Sequence, residues 1–309
     1  MRDIQFIIST GHKGWVLHHL ALEVQKELQV KKSKIIEMPQ SRRDLRSLEG
    51  YIYLKRAYTN FYMHQDLALH SLKKGWLNKA QINIVNYTHT NKDLVNYREM
   101  FESVNYILVQ NQKTKNSIEN YLKKSLETIL VLPNPIDFER FSYRKGHKTR
   151  DVVFVSNFYS RKQPDLIFNT IKNNKDLKFS IIGKNWNSYW NLDELLRCKN
   201  LQIIQFDYTS YPEFLAKHKV FCSLSKIEGG PVPLLEALSI GLIPVVTDTG
   251  TARDLMPKEL TDLILPTNVT VDVVTKALRK AITRESKKLN LDVKYSFAGF
   301  SNILKDLMY

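Results

Sequence analysis

Residues 226–241 read KIEGGPVPLLEALSIG. From Pro231 to Ile240 the run is almost continuously apolar, as in a helix packed into a core, and Gly241 followed by Pro244 marks its end. Pro231 and Pro233 suit the first helical turn, where a missing N–H costs little. A helix used only for packing does not need the opening: Glu228, Gly229 and Gly230 fall in the entering loop, and Glu236 in the early turns. Glycine amides at the positive end of a helix form an anion site. Carboxylates beside such a site suit a ligand with both hydroxyls and phosphate. A capped core helix carrying two surface acids explains the same residues more plainly, so the rest of the chain has to decide.

On both sides of this stretch, strand-like and helix-like runs alternate. DVVFVSN (151–157), KFSIIGK (178–184), LQIIQFD (201–207), VFCSLS (220–225) and IPVVTD (243–248) read as buried strands. Helices are expected around 163–173, 191–197, 210–217, 231–240 and 272–283. The first half repeats the pattern, with strands at 4–10, 34–38, 51–55, 81–88 and 105–111 and helices at 15–28, 64–77 and 114–126. ETILVLPNPIDFERF (127–141) is a strand broken by Pro133 and Pro135, and the polar SYRKGHKTRD (142–151) reads as a linker. The expected fold is α/β, with two Rossmann-like doubly wound domains, 1–145 and 146–290, facing a cleft. A length of 309 residues fits two domains of roughly 150 each.

Composition narrows the class. A hydrophobic share of 43% with 25% charged residues is globular rather than disordered, and no apolar run reaches the ~18 residues of a membrane span. MRDIQFIIST is too short and too quickly polar for a signal peptide, and Cys198 and Cys222 form neither a CxxC nor a Cys/His cluster. A cytoplasmic location is therefore expected. The net charge of +15, concentrated locally at VKKSK (30–34), SRRDLR (41–46) and HSLKKGW (70–76), suits a solvated basic surface or an anionic membrane face. A peripheral position on the inner face of the membrane follows from the second. No nucleic-acid module accompanies the charge, so no nucleic-acid partner is expected. No DxD-like acid cluster calls for a cation, so neither metal nor cofactor is expected.

The run EGGPVPLLEALSIGLIPVVTDTGTARDL (228–255) resembles the E-x7-E signature of retaining, nucleotide-sugar-dependent glycosyltransferases of the GT-B fold, family 4 type. The resemblance implies that Glu228 lies beside the donor sugar and that Glu236 holds the ribose hydroxyls, with Gly229 and Gly230 near the phosphates. NYTHTN (86–91) resembles the segment whose His, here His89, faces the donor sugar. STGHKG (9–14) resembles the acceptor-side loop, placing Gly11, His12, Lys13 and Gly14 there. In VSNFYSRKQPD (155–165) Lys162 matches the diphosphate-binding lysine, but Asn157 stands where that family has Arg, with Arg161 nearby as a compensating charge. Lys226 and Tyr208 are further donor-side candidates. YSFAGFSNILKDLMY (295–309) resembles the family's terminal helix, which crosses back to the first domain. The implied activity is metal-independent transfer of a sugar, with retention, to a hydroxyl of a glycan or lipid-linked acceptor in surface polysaccharide or lipopolysaccharide synthesis. A non-catalytic nucleotide-sugar binder on the same scaffold, or a nucleic-acid binder, are the alternatives.

Overall fold

The computed structural model describes residues 3–9, 16–29, 33–38, 58–88, 93–143, 148–205 and 209–308. They pack as two compact units, Met1–Pro135 with Asp292–Tyr309, and Ile136–Leu291.

The first unit holds a six-stranded sheet of β1 (Ile4–Ser9), β2 (Ser33–Met38), β3 (Thr59–Tyr62), β4 (Ile82–Tyr87), β5 (Tyr106–Val109) and β6 (Ile129–Val131). The order is β2-β1-β3-β4-β5-β6, and every neighbouring pair is parallel. Helices α1 (Val16–Leu28), α2 (Gln65–Lys73), α3 (Arg98–Ser103) and α4 (Gln112–Leu122) alternate with the strands, and the C-terminal helix Phe297–Leu307 joins them. All six residues of β1 are buried because both faces of the sheet are covered. Phe6, Ile8, Phe61, Ile84 and Leu108 pack against α1 and against Phe300 and Leu304 of the C-terminal helix. Ile7, Tyr62, Val85 and Ile107, the alternate residues of the same strands, face the α2–α4 layer.

The expected strand at 51–55 lies outside the described residues, and a strand forms at Thr59–Tyr62, where the sequence reading placed none. Its Asn60 is fully buried and does not read as a strand centre. The Gln5 amide donates to Asn60 Oδ1, and Asn60 Nδ2 donates to Gln81 Oε1 and Asn83 Oδ1, both at 3.0 Å. A buried amide satisfied across three strands costs little, so polarity here does not interrupt the sheet.

The second unit repeats the design with β7 (Arg150–Val155), β8 (Phe179–Ile182), β9 (Leu201–Ile204), β10 (His218–Ser223), β11 (Ile243–Thr247) and β12 (Ile264–Leu265), ordered β12-β11-β10-β7-β8-β9 and all parallel. Its helices are α5 (Pro164–Asn173), α6 (Leu192–Leu196), α7 (Tyr211–Leu215), α8 (Val232–Ile240), α9 (Ala252–Leu255) and α10 (Val271–Ile282). In α10 the buried Val274, Ala277, Leu278 and Ala281 form a single stripe at helical spacing. By contrast α8 is buried around most of its circumference and ends at Gly241, whose φ of 92° lies in the left-handed region. A side chain there would strike the Tyr143 ring, 2.6 Å from the position of a Cβ. The chain reverses its direction across this sheet between β7 and β10, and such a switch point opens a crevice at the carboxyl ends of the strands. Among the described residues no helix is long and apolar enough to cross a membrane.

Candidate active site

The loops that leave the carboxyl ends of β7 and β10 are laced together. The Lys226 N–H donates to the Arg161 carbonyl at 2.8 Å, and Arg161 Nη1 donates back to the Ile227 carbonyl at 2.9 Å. The side-chain amide of Gln163 donates to the carbonyls of Leu224 and Thr267. Gln163 has a φ of 54°, which closes the 3-10 turn Ser160–Lys162 and delivers the chain to Pro164 at the start of α5.

This lacing sets Glu228 against two cations. Lys162 Nζ donates to Glu228 Oε1, and Arg161 Nη1 lies 3.0 Å from the same oxygen. The Glu228 side chain is 7% exposed, that of Lys162 16% and that of Arg161 26%. Burial pushes the carboxyl up, but Lys162 and Arg161, with hydrogen bonds from Lys162 and Ser225, outweigh it and hold Glu228 below the usual carboxylate range. Two cations on one carboxylate leave a net positive charge that is partly open to solvent. An anion arriving there shares or replaces the counter-ion these cations already have.

Glu236 sits in the second turn of α8 and is 3% exposed, in a helix whose other buried residues are apolar. Tyr211 Oη donates to Glu236 Oε2 at 2.9 Å. Burial pushes the carboxyl up to about 7, opposed by the Tyr211 hydrogen bond and the Arg140 charge. The group therefore changes charge near neutrality, and a ligand offering hydroxyl donors draws it towards the ionised form.

The entrance to α8 differs in part from the sequence expectation. The helix begins at Val232, two residues beyond the glycines, with no side-chain cap. Gly230 is half-buried, and Gly229 beside it is buried and already has a partner in the fold. The loop after β11 closes over it. Gly250 has a φ of 56°, and a Cβ there would stand 2.8 Å from the Gly229 carbonyl and 3.0 Å from Glu228 Cβ.

Asn157 Oδ1 accepts from the Lys184 N–H at 2.8 Å, so this residue braces the turn after β8 with a neutral group. Lys226 takes part through its backbone, and its side chain is exposed. Trp186 and Tyr189, which follow β8, are 2% and 3% exposed and belong to the core; Trp190 is 66% exposed beside Phe158. His89, Tyr208, Gly11, His12, Lys13 and Gly14 lie outside the described residues. Tyr211, Arg140, Gln163 and Gly250 are the site residues that sequence reading missed. Only Gln163 carries a local signal, the helix-starting proline that follows it. Among the described residues no three His, Cys, Asp or Glu side chains gather into a metal-holding group.

The sequence model of the family described as glycosyl transferases group 1 matches residues 135–296. The GPI3 subunit of phosphatidylinositol N-acetylglucosaminyltransferase from Saccharomyces cerevisiae is 24% identical over 248 residues, covering 71% of this chain and 51% of that protein. The chain thus spans about half the length of the curated relatives it matches. HepE of Anabaena, solved with UDP and glucose, is similar with a TM-score of 0.71 at 11% identity, over 98% of this chain and 94% of that one. The lipopolysaccharide outer core galactosyltransferase WaaB, solved in its apo form, gives 0.70 at 16% identity over 98% and 99%. These two likenesses establish the fold, two Rossmann-like units of the GT-B class. With more than half of its residues matched by the family's sequence model, the chain belongs to the glycosyl transferases group 1 family.

Proposed function

We propose that this protein moves a sugar from a nucleotide diphosphate donor to a hydroxyl of a glycan or lipid-linked acceptor, with retention of anomeric configuration and without a metal. The observation that carries the reading is the convergence of Lys162 and Arg161 on Glu228 at the switch point of the second sheet. In the reaction the bond from the anomeric carbon to the diphosphate breaks, and a bond from that carbon to the acceptor oxygen forms on the same face. The acceptor proton passes to a phosphate oxygen of the leaving group. Lys162 and Arg161 take up the charge that develops on the diphosphate, and such preorganised charge is worth a few kcal/mol in a water-poor site. Glu228 stands beside the sugar and Glu236 accepts from the ribose hydroxyls. His89 and the loop Gly11–Gly14 serve the sugar and the acceptor.

The names of the relatives support the donor and acceptor classes: HepE is solved with UDP and glucose, WaaB acts on lipopolysaccharide and GPI3 on phosphatidylinositol. The net charge of +15 suits an acceptor held at an anionic membrane face. A role in surface polysaccharide or lipopolysaccharide synthesis follows. One observation favours the second reading, a nucleotide-sugar binder without turnover: Asn157 places a neutral amide where the resembled family has Arg. Thermal shift with UDP-, GDP-, ADP- and CMP-sugars separates donors, because a ligand at 100 times its Kd adds about 2.7 kcal/mol. NMR of the transferred sugar then reads the anomeric configuration. An inverted product overturns retention, and donor binding without transfer to any acceptor favours the binder.

A further inference from the structure

The donor site leaves unused a group of charges at the other end of α5. Lys162 precedes this helix and Lys172 lies in its last turn, about 15 Å away at 1.5 Å per residue. There, where α5 finishes and β9 begins, lies a cavity of about 530 Å³ walled by Lys172, Lys175, Arg197, Lys199, Glu194 and Cys198. Four cations thus face a single carboxylate.

The bland account is that these are solvated cations complementing the negative end of α5. The hydrogen bonding argues against it. Asn200 Nδ2 donates to the Ile171 carbonyl at 3.3 Å and Asn174 Nδ2 to the Thr170 carbonyl at 2.8 Å, so neutral amides already engage two of the last four carbonyls of the helix. Lys172 pairs with Glu194 at 3.0 Å, and Glu194 is held below the usual range by Lys172 first and more weakly by Arg197. Asp176, next to Lys175 in the chain, is occupied by two hydrogen bonds from Arg279. Among the described residues, Lys175 and Lys199 make no ion pair.

We propose that this cavity is a second anion site that binds a phosphate-bearing group, separate from the donor loop. Several unspent cations around one concavity match a multiply charged tetrahedral anion better than a single carboxylate, with Arg197 supplying a planar fork and the lysines point charges. Pyrophosphate, a nucleoside phosphate and a lipid headgroup share this chemistry. Leu196, 63% exposed beside Arg197, gives the rim an apolar lip that a lipid source uses and a soluble one does not.

The protein carries its own reporter. It has two cysteines; Cys222 is buried in β10, while Cys198 is half-buried in the cavity wall. Alkylation of Cys198 by the neutral reagent iodoacetamide at pH 8.5 is followed by mass spectrometry on the intact folded chain. One arm adds millimolar pyrophosphate against chloride at equal ionic strength. The other adds phosphatidylglycerol vesicles against phosphatidylcholine vesicles. The site predicts at least a threefold slowing with pyrophosphate or with anionic vesicles, absent from both controls and lost in the Lys175→Ala/Arg197→Ala/Lys199→Ala variant. Slowing by pyrophosphate identifies a soluble source, and slowing by anionic vesicles alone identifies a headgroup. An unchanged rate in both arms, or slowing that persists in the triple variant, overturns the proposal. Sugar transfer takes no part in the readout, so such a failure leaves the proposed activity standing.

Discussion

Replacing Glu236 by Gln keeps the shape of the side chain and an oxygen for the Tyr211 hydroxyl, and removes only the charge. The carboxyl titrates at about 7 in the fold against 4.5 in an unfolded chain. At 1.36 kcal/mol per pH unit that gap is worth about 3 kcal/mol. Because the folded value is raised, Glu236 contributes stability that is full below pH 4.5 and is lost as pH rises through 7. The Gln variant should therefore match the wild type near pH 4.5 and exceed it by about 3 kcal/mol at pH 8.5. His218 runs the other way. Fully buried and bonded to Ser180 Oγ at 2.8 Å, its imidazole is lowered by burial to about 4 from 6.5, so stability is lost as pH falls from 6.5 towards 4. The two slopes oppose each other across pH 4.5–6.5 and flatten the wild-type profile, and Glu236→Gln should expose the His218 slope. Urea unfolding of both proteins at pH 4.5, 6, 7 and 8.5 gives the comparison. The same variant should bind donor 10- to 150-fold more weakly, since a hydrogen bond to a charged acceptor is worth roughly 1.5–3 kcal/mol. A stability difference that does not grow with pH refutes the burial reasoning. A gain in stability with unchanged donor affinity refutes the ribose role alone.

Tyr211→Phe removes a hydrogen bond that favours the ionised Glu236, so the pH at which donor affinity is half lost on acidification should move upward; calorimetry across pH 6–9 reads it. Gly250→Ala forces a side chain against the Gly229 carbonyl at a φ of 56°. It should cost at least ~1 kcal/mol in urea unfolding and weaken donor binding by displacing Glu228. Incubation with EDTA followed by gel filtration should leave the transfer rate unchanged, and recovery of a lost rate on adding Mn²⁺ or Mg²⁺ would show that transfer needs a metal.

The fold was legible because a parallel sheet covered on both faces writes itself as apolar runs, as β1 and β7 do. Legibility stopped where tertiary contacts override local pattern. Asn60 stands in a central strand only because Gln5, Gln81 and Asn83 satisfy its amide, a fact that no window around 59–62 contains. At the candidate site, the resemblance to retaining GT-B glycosyltransferases pointed to Glu228, Glu236 and Lys162, while their states depend on distant partners. Tyr211 lies 25 positions from the carboxyl it supports. Lys162 lies 66 positions from Glu228, and the hydrogen bond between them comes from adjacent strands β7 and β10.

In the proposed function, Lys162 and Glu228 form the seat of a nucleotide diphosphate. Calorimetric titration of the best nucleotide-sugar into wild type, Lys162→Ala and Lys175→Ala tests this most directly. Removal of Lys162 should weaken binding at least tenfold, with Lys175→Ala, at the far end of α5, within twofold of wild type. Equal affinity for wild type and Lys162→Ala would contradict the account.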